Sequence, residues 1–429
     1  MTRPFLARLG ASTLALVLLV AACGPTTPTP SSAPPSLPPD ATPSPSASAT
    51  PVASQDIDAI YDAIEAQVLE LRGLPATVVE RETIDAATLA VLAEEDFDKD
   101  NPADDIAASE RLYKALGLLD EDASVRDLFL DLIRSQVAGF YRPDAKKLYV
   151  VSRGGAVGGA DKVTFAHEYV HALQDANFDV FGDPERLRDQ SDEALARATI
   201  YEGDATLLMT QWALPNLTPA ELQDVVTAGS DPEAQAILAR TPAILAETLL
   251  LPYNAGLVFV QPIQSAGGWQ AVDTIYGRLP VSTEQVLHRD KYEANELPVP
   301  VTVPDDLAAR MGDGWTVALQ DTLGEFQTGL WLRERGSSPA EAELAVNGWG
   351  GDRIAVLYGP DGSWAVVMKT AWDTDPDADE FAQAAQVAID GLPWPARVAA
   401  PGGRDVTVLI GSDEDSLLSL DKVFGATGV

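Results

Sequence analysis

The residues best suited to chemistry are the histidines, because the chain has only three: His167, His171 and His288. Two of them belong to the segment His-Glu-Tyr-Val-His at 167–171, an H-E-x-x-H motif. On a helix, residues four apart lie on one face, so two imidazoles can bind one metal ion. Glu168 would then lie beside the water that the ion activates and would accept its proton. The motif therefore predicts a zinc-dependent hydrolytic site.

Apolar residues around the motif predict that it lies on a helix. Those at helical spacing are Val163, Ala166, Val170 and Leu173. This pattern leaves His167, His171 and Gln174 together on the adjacent face. A metzincin would need Gly at position 174 and His at position 177, whereas this chain has Gln174 and Asn177. The third metal ligand must therefore come from another part of the chain.

A second helix, predicted over residues 189–212, offers that ligand. The residues on one of its faces are Leu195, Ala198, Glu202, Ala205 and Met209. A carboxylate inside an apolar face is costly unless it is paired or binds a metal. Glu202 is therefore the predicted third ligand, and a buried salt bridge to an arginine such as Arg197 is the alternative. The small residues Gly203 and Ala205 would allow another helix to approach closely.

Three further residues are candidates for supporting roles. Asp204 would either orient a ligand imidazole or belong to the ordinary surface. His288 has the residue type and the downstream position of a group that stabilises an oxyanion, and Tyr253 is a second candidate for that role. The alternatives are a structural histidine and a core aromatic residue. Should Glu202 not bind the metal, Glu193, Asp204 and His288 are the remaining candidates for the third ligand.

The N-terminus is typical of an exported lipoprotein. Arg3 and Arg8 precede an apolar run, and Val-Ala-Ala-Cys then ends at Cys23, the only cysteine. The apolar run is shorter than the ~20 residues that cross a bilayer. We expect residues 1–23 to be a lipoprotein signal with Cys23 lipidated, which would anchor the protein on the extracytoplasmic face of the cell membrane. A simple secretion signal is the alternative.

The remaining chain divides by composition and pattern. Residues 24–54 are mostly Pro, Ser, Thr and Ala, which predicts a disordered linker. Residues 55–304 are mainly helical, with a β-hairpin built from 137–141 and 148–152 before the motif helix. Strand and helix patterns alternate over 305–429, which predicts a smaller α+β C-terminal region, either packed on the first domain or separate. The predicted fold class is thus α+β.

The charge of the chain excludes one class of partner. Lys and Arg number 29 against 65 Asp and Glu, which gives a formal net charge of -36. Nucleic acids and anionic membrane surfaces are bound by clusters of Lys and Arg, and the sequence shows no such patch. We therefore expect no nucleic-acid partner, and membrane attachment only through the lipid.

The order of these features resembles that of the gluzincins, a group of zinc metallopeptidases of which thermolysin is the familiar member. A β-hairpin, an H-E-x-x-H helix and a downstream helix carrying Glu extend over residues 137–206. The segment Tyr-Glu-Gly-Asp-Ala at 201–205 is also similar to that of bacterial lipoproteins with the same arrangement. One departure is Thr206, because thermolysin-like enzymes have Asp four residues after the ligand Glu. Membership in the thermolysin family proper is therefore not expected, and the residue that orients a ligand imidazole stays open.

The resemblance implies a zincin-like fold and a complete set of roles. The implied zinc ligands are His167, His171 and Glu202. Glu168 would serve as general base and acid, and an edge strand of the hairpin, either 147–152 or 137–141, would pair with substrate backbone. We therefore expect a membrane-anchored, extracytoplasmic zinc metallopeptidase that acts on peptides or proteins. The alternatives are a catalytically inactive, zinc-stabilised scaffold lipoprotein of the cell envelope, a metal-free interaction protein, and a zinc hydrolase of non-peptide amides.

Overall fold

The computed structural model describes residues 13–16, 56–151, 157–182 and 184–425. Of the predicted signal, residues 13–16 lie within these ranges, whereas the lipidation site predicted at Cys23, the other signal residues and the predicted linker lie outside them. The fold is a mixed α+β arrangement, as the sequence predicts. Its first part is mainly helical and its last part contains an antiparallel sheet.

The first part carries eleven helices over its described residues. They are α1 (Ile57–Arg72), α2 (Ala86–Asp100), α3 (Ala103–Ala115), α4 (Val125–Gln136), α5 (Gly159–Phe178), α6 (Ser191–Asn216), α7 (Pro219–Gly229), α8 (Pro232–Arg240), α9 (Ala243–Tyr276), α10 (Thr283–Leu287) and α11 (Arg289–Ala294). Local signals set their ends: Asp56 caps α1 by accepting the N–H of Ala59, and Gly73 ends it in the left-handed conformation at φ 76°.

A four-stranded sheet lies beside the motif helix, in the order β1-β3-β4-β2. Its strands are β1 (Thr13–Leu16), β2 (Glu80–Ile84), β3 (Val137–Arg142) and β4 (Lys147–Val151). β3 and β4 form the predicted antiparallel hairpin, and β4 also pairs in parallel with β2. β2 begins at Glu80, which pairs with Lys147 of β4. β4 is therefore an inner strand, and β3 has an outer edge, which β1 occupies.

Helices α6 and α9 cross with their backbones in contact. A Cβ atom added to Gly203 would lie 2.4 Å from the carbonyl carbon of Gly256. One added to Gly256 would lie 2.2 Å from the carbonyl oxygen of Thr199. Only glycine fits at such a crossing, so the expectation that Gly203 permits a close helix approach is confirmed.

Helix α9 is long and apolar. Among the described residues it alone has the length and hydropathy that could cross a membrane, and 56% of its most apolar window is buried within the protein. It contains Pro252 and Pro262, and it is interrupted at Gly268, where φ is 69°. Burial of this kind is typical of a core helix, since α9 packs against α6.

The C-terminal region contains five strands and five helices over its described residues. The strands are β5 (Thr316–Asp321), β6 (Trp349–Tyr358), β7 (Trp364–Trp372), β8 (Ala396–Ala399) and β9 (Asp405–Gly411). The helices are α12 (Leu307–Met311), α13 (Gly324–Glu334), α14 (Pro339–Val346), α15 (Asp375–Asp390) and α16 (Glu414–Leu420). The sheet is antiparallel in the order β5-β6-β7-β9-β8.

This sheet is covered on both faces. Ile354 and Val356 belong to one hydrophobic core, whereas Ala355 and Leu357 belong to another on the opposite face, as the two-residue period of a strand requires. The first of these cores also contains residues of α2, α3 and α4. The indole of Trp331 donates to the carbonyl of Leu116 at 3.2 Å. The C-terminal region is therefore packed on the helical part, and the core extends across the division predicted at residues 304 and 305.

Candidate metal centre

Helices α5 and α6 bring His167, His171 and Glu202 together. The Nε2 atoms of the two histidines lie 3.0 Å apart. Glu202 Oε2 lies 3.0 Å from Nε2 of His167 and 3.4 Å from Nε2 of His171. The three atoms thus form a compact triangle of two nitrogens and one oxygen, a donor set able to hold a metal ion.

The periodicity of both helices accounts for this meeting. The apolar stripe of α5 is buried in one hydrophobic core, together with Ala205 and Met209 of α6. That packing turns the histidine face of α5 toward Glu202. All three side chains are at least nine-tenths buried, and among the described residues no lysine or arginine forms an ion pair with Glu202.

Burial and mutual charge shift the titration of the three groups. Burial alone would raise the pKa of Glu202, but the neighbouring imidazoles hold that pKa at about 2. Burial would lower the pKa of His171, but the charge of Glu202 raises it to about 9. Burial dominates at His167 and lowers its pKa. Without a metal, one proton shared among the imidazoles would therefore balance the carboxylate.

Gln174 fixes the orientation of His171. The side-chain Nε2 of Gln174 donates to the carbonyl of Tyr201 at 2.9 Å, so its Oε1 must face the other way. That Oε1 lies 2.8 Å from Nδ1 of His171 and accepts its proton. In the neutral imidazole, Nε2 of His171 then carries the lone pair and points toward Glu202. This is the way in which outer groups orient a metal-binding imidazole.

The other histidine of the donor triangle has a different environment. Nδ1 of His167 is buried, and no residue in the described part of the chain hydrogen-bonds to it. Its ring lies against Tyr253 of α9, with the ring centroids 6.2 Å apart and the planes 25° from parallel. The structure thus brings Tyr253 to the centre, on the side that α9 covers.

Glu168 is fully buried on the same helix, next to the hairpin. A Cβ atom added to Gly139 of β3 would lie 2.8 Å from the methyl group of Thr164 and 3.8 Å from Cγ of Glu168. Glycine at this position lets the strand pass directly over the motif helix. The charge of Glu168 adds to that of Glu202 in raising the pKa of His171.

Asp204 has neither of the two roles considered for it. It is fully buried and accepts two hydrogen bonds from the guanidinium of Arg72, both 3.0 Å long. The hydroxyl of Tyr276 donates a third at 2.6 Å. This network ties the end of α1 to α6 and α9 behind the donor triangle. Arg197 pairs with Glu193, so the alternative partner considered for Glu202 is engaged elsewhere.

His288 lies at the junction of α10 and α11. Its Nε2 is 2.7 Å from Oε1 of Glu325 on α13, and this ion pair raises the pKa of His288. The structure therefore places His288 against the C-terminal region and gives it no contact with the donor triangle among the described residues. Its proposed part in oxyanion stabilisation stays a prediction from residue type.

A second group of acidic side chains also has metal-like spacing, namely Glu284, Glu296 and Asp373. The ammonium of Lys291 lies among them, 2.7 Å from Asp373 and 3.0 Å from Glu296. A side-chain cation thus already neutralises this group. In the described ranges no lysine or arginine pairs with Glu202, so the donor triangle of His167, His171 and Glu202 is the better candidate for a metal.

Three buried carboxylates near the start of α6 have yet another type of partner. Asp352 accepts the backbone N–H groups of Leu323 and Gly324 at 2.9 and 2.8 Å. Asp321 accepts the N–H of Ser191 at 2.9 Å. Asp192 likewise accepts the N–H of Thr283. We refer to Asp192, Asp321 and Asp352 as the capping cluster, because each satisfies the N-terminus of a helix.

Comparison with known proteins adds one match. Residues 315–419 match the model of a family described as a domain of unknown function, DUF8575. This match covers the C-terminal sheet from β5 into α16 and does not include His167, His171 or Glu202. No curated protein and no solved structure matches the chain.

Proposed function

We propose that the chain is a gluzincin-like zinc metallopeptidase. The observation that carries this proposal is the size of the donor triangle. Its edges are 3.0, 3.0 and 3.4 Å. A tetrahedral zinc with bonds of about 2.0–2.1 Å needs ligand atoms about 3.3 Å apart, and its catalytic sites use three protein ligands. The His₂Glu donor set, the preset lone pair of His171 and the absence of a Lys or Arg partner for Glu202 among the described residues all support zinc.

The other residues of the centre fit peptide hydrolysis. In such a site zinc supplies Lewis acidity, which polarises a carbonyl and acidifies a water molecule. Glu168 would take a proton from that water and return it to the leaving amine. Tyr253, which lies against His167, is the better placed candidate for stabilising the developing oxyanion. The edge of β3 would bind extended substrate backbone.

The cellular setting is part of the same proposal. The N-terminal pattern ending at Cys23 supports a lipid anchor on the extracytoplasmic face of the cell membrane. A linker over residues 24–54 would let the folded part reach peptide or protein substrates away from the bilayer.

Substitution of the proposed base tests the mechanism. Glu168→Gln should retain zinc and lose at least about 100-fold in turnover of a peptide library, because a positioned base contributes this much or more. Glu193→Gln is the matched control, since Glu193 lies on α6 and pairs with arginines. Turnover by Glu168→Gln at the rate of the wild type would refute the role of Glu168.

Burial of the centre favours a second candidate function. His167 and His171 are no more than 1% exposed, as in structural zinc sites that stabilise a fold. A zinc-stabilised scaffold of the cell envelope would bind zinc through the same three residues. Turnover distinguishes the two candidates. A scaffold would show zinc-dependent stability but no turnover of any peptide by the wild type.

A further inference from the structure

Helix α9 takes part in two separate hydrophobic cores. Ile244 and Leu245, in its first turn, are buried in the core that also contains residues of the C-terminal sheet. Phe259 and Val260, about four turns further along, are buried in another core together with residues of α6. Helix α9 therefore joins the packing of the C-terminal region to that of the helix that carries Glu202.

Side chains of α13 hold the first turns of α9. The guanidinium of Arg333 donates two hydrogen bonds to the carboxylate of Glu247, 2.5 and 3.1 Å long. The side-chain amide of Gln327 donates to the hydroxyl of Thr248 at 3.2 Å, and both of these side chains are buried. Paired bonds between arginine and a carboxylate fix orientation as well as distance. The C-terminal region, whose family match includes α13, thus determines where the first part of α9 lies.

Tyr253 lies just beyond this attachment, next to a weak point of the helix. Pro252 has no N–H, so it donates no helical hydrogen bond to the carbonyl of Thr248. One turn after Tyr253, Gly256 fixes α9 on the backbone of α6. The ring of Tyr253 lies against His167 between these two attachments. If α13 did not hold its first part, α9 would be free to bend at Pro252 and shift Tyr253 on His167.

We propose that the C-terminal region regulates the metal centre through α9, by holding Tyr253 over His167. Arg333 and Gln327 are then positioning residues, since each acts on the centre through α9. Release of α13 from α9 would loosen Tyr253 and ease the passage of zinc to and from the donor triangle. The regulation rests on the proposed zinc centre, whereas the coupling of α13 to Tyr253 is a property of the fold and does not require zinc.

Charge reversal at the attachment tests the proposal in the full-length protein. Arg333→Glu sets two carboxylates against each other, and Glu247→Arg/Arg333→Glu restores the pair with its charges exchanged. Arg335→Glu is the matched control, because Arg335 lies at the end of the same helix and donates to the carbonyl of Ala388 within the C-terminal region. Hydrogen–deuterium exchange over 253–260 reports the attachment of α9. The rate at which a chelator removes zinc reports access to the donor triangle.

Arg333→Glu should exchange faster over 253–260 and release zinc about threefold or more faster than the wild type, as expected for a residue that couples two sites. The variant with exchanged charges should return both rates toward those of the wild type, and Arg335→Glu should leave both unchanged. Tyr253→Leu should itself release zinc faster. Arg333→Glu added to Tyr253→Leu should then have little further effect on zinc release, because both substitutions act on the same contact.

Two results would overturn the proposal. One is equal exchange and equal zinc release in Arg333→Glu and the wild type. The other is a full additional effect of Arg333→Glu on zinc release in the Tyr253→Leu background, since the attachment would then act without Tyr253. A wild type that binds no zinc would instead refute the proposed function, and exchange over 253–260 would still decide whether α13 is coupled to Tyr253.

Discussion

The donor triangle and the capping cluster are both buried groups of charged side chains, and they differ in what neutralises them. Each carboxylate of the capping cluster accepts backbone N–H groups at the start of a helix. The carboxylate of Glu202 faces two imidazoles, which carry the charge of a cation only when protonated. Burial of acids alone therefore does not identify a site. The residues that share the space decide whether a cluster holds the fold together or can bind a metal.

The largest expected effect is that of zinc on the free energy of unfolding, which should depend on the donor triangle and not on the capping cluster. At a free zinc concentration about 1,000 times the dissociation constant, the ion should raise the free energy of unfolding of the wild type by about 4 kcal/mol. His171→Ala should lose this gain, because it removes one of the three proposed ligands. Urea unfolding with and without zinc measures the effect. Asp352→Ala should keep the stabilisation by zinc. Loss of that stabilisation in Asp352→Ala would contradict the proposed difference between the donor triangle and the capping cluster.

Truncation in the capping cluster should destabilise the protein whether or not zinc is present. Asp352→Ala leaves the N–H groups of Leu323 and Gly324 buried without their acceptor. We expect the free energy of unfolding to fall by about 2–4 kcal/mol. Asp379→Ala on the exposed face of α15 is the control and should change it by less than about 0.5 kcal/mol. The same loss in both variants would show that the cap contributes nothing.

Loss of the residue that orients His171 should weaken zinc binding without removing a ligand. Gln174→Leu abolishes the hydrogen bond to Nδ1 of His171, so we expect zinc affinity to fall about 10- to 100-fold. Gln174→Glu retains an acceptor and should stay closer to the wild type. A competition titration with a metal indicator measures both. An unchanged zinc affinity in Gln174→Leu would show that Gln174 does not support zinc binding.

The smallest effect concerns the pH dependence of the capping cluster. Burial raises the pKa of Asp321 from 3.8 to about 7, so the folded state binds this proton more tightly than the unfolded state does. The stabilising contribution is then present below about pH 4 and is lost as the pH rises to about 7. Relative to that of Asp321→Asn, the free energy of unfolding of the zinc-free wild type should fall by on the order of 1 kcal/mol between pH 4.5 and 8. A difference in the free energy of unfolding between the two proteins that does not change with pH would contradict the raised pKa of Asp321.

Local pattern was sufficient to predict most of the elements and the donor triangle. The apolar stripe of α5, the lone acid on the apolar face of α6 and the turn chemistry of the hairpin are each contained within a few residues. The short strand β8, only four residues long between prolines and a glycine-rich turn, had no such signal and was missed. The start of β2 is set by its pairing with β4, a strand distant in the sequence.

Long-range partners could not be predicted in this way. Arg72 and Asp204 are 132 positions apart in the sequence, and Asp192 and Thr283 are 91 apart. Nothing in the pattern of either helix indicates which distant group will neutralise a buried charge. Gln174 is a partial exception. The sequence predicts that it lies on the histidine face of α5, but it does not predict the carbonyl of Tyr201 that orients its side chain.

Zinc content tests the central claim most directly. The full-length protein, dialysed after exposure to zinc, should contain one zinc per chain by elemental analysis. Glu202→Ala should contain none, whereas Glu284→Ala and Asp192→Ala, at the two other acidic clusters, should retain one. A wild type without zinc, or a Glu202→Ala variant that retains it, would contradict the assignment of His167, His171 and Glu202 as a metal centre.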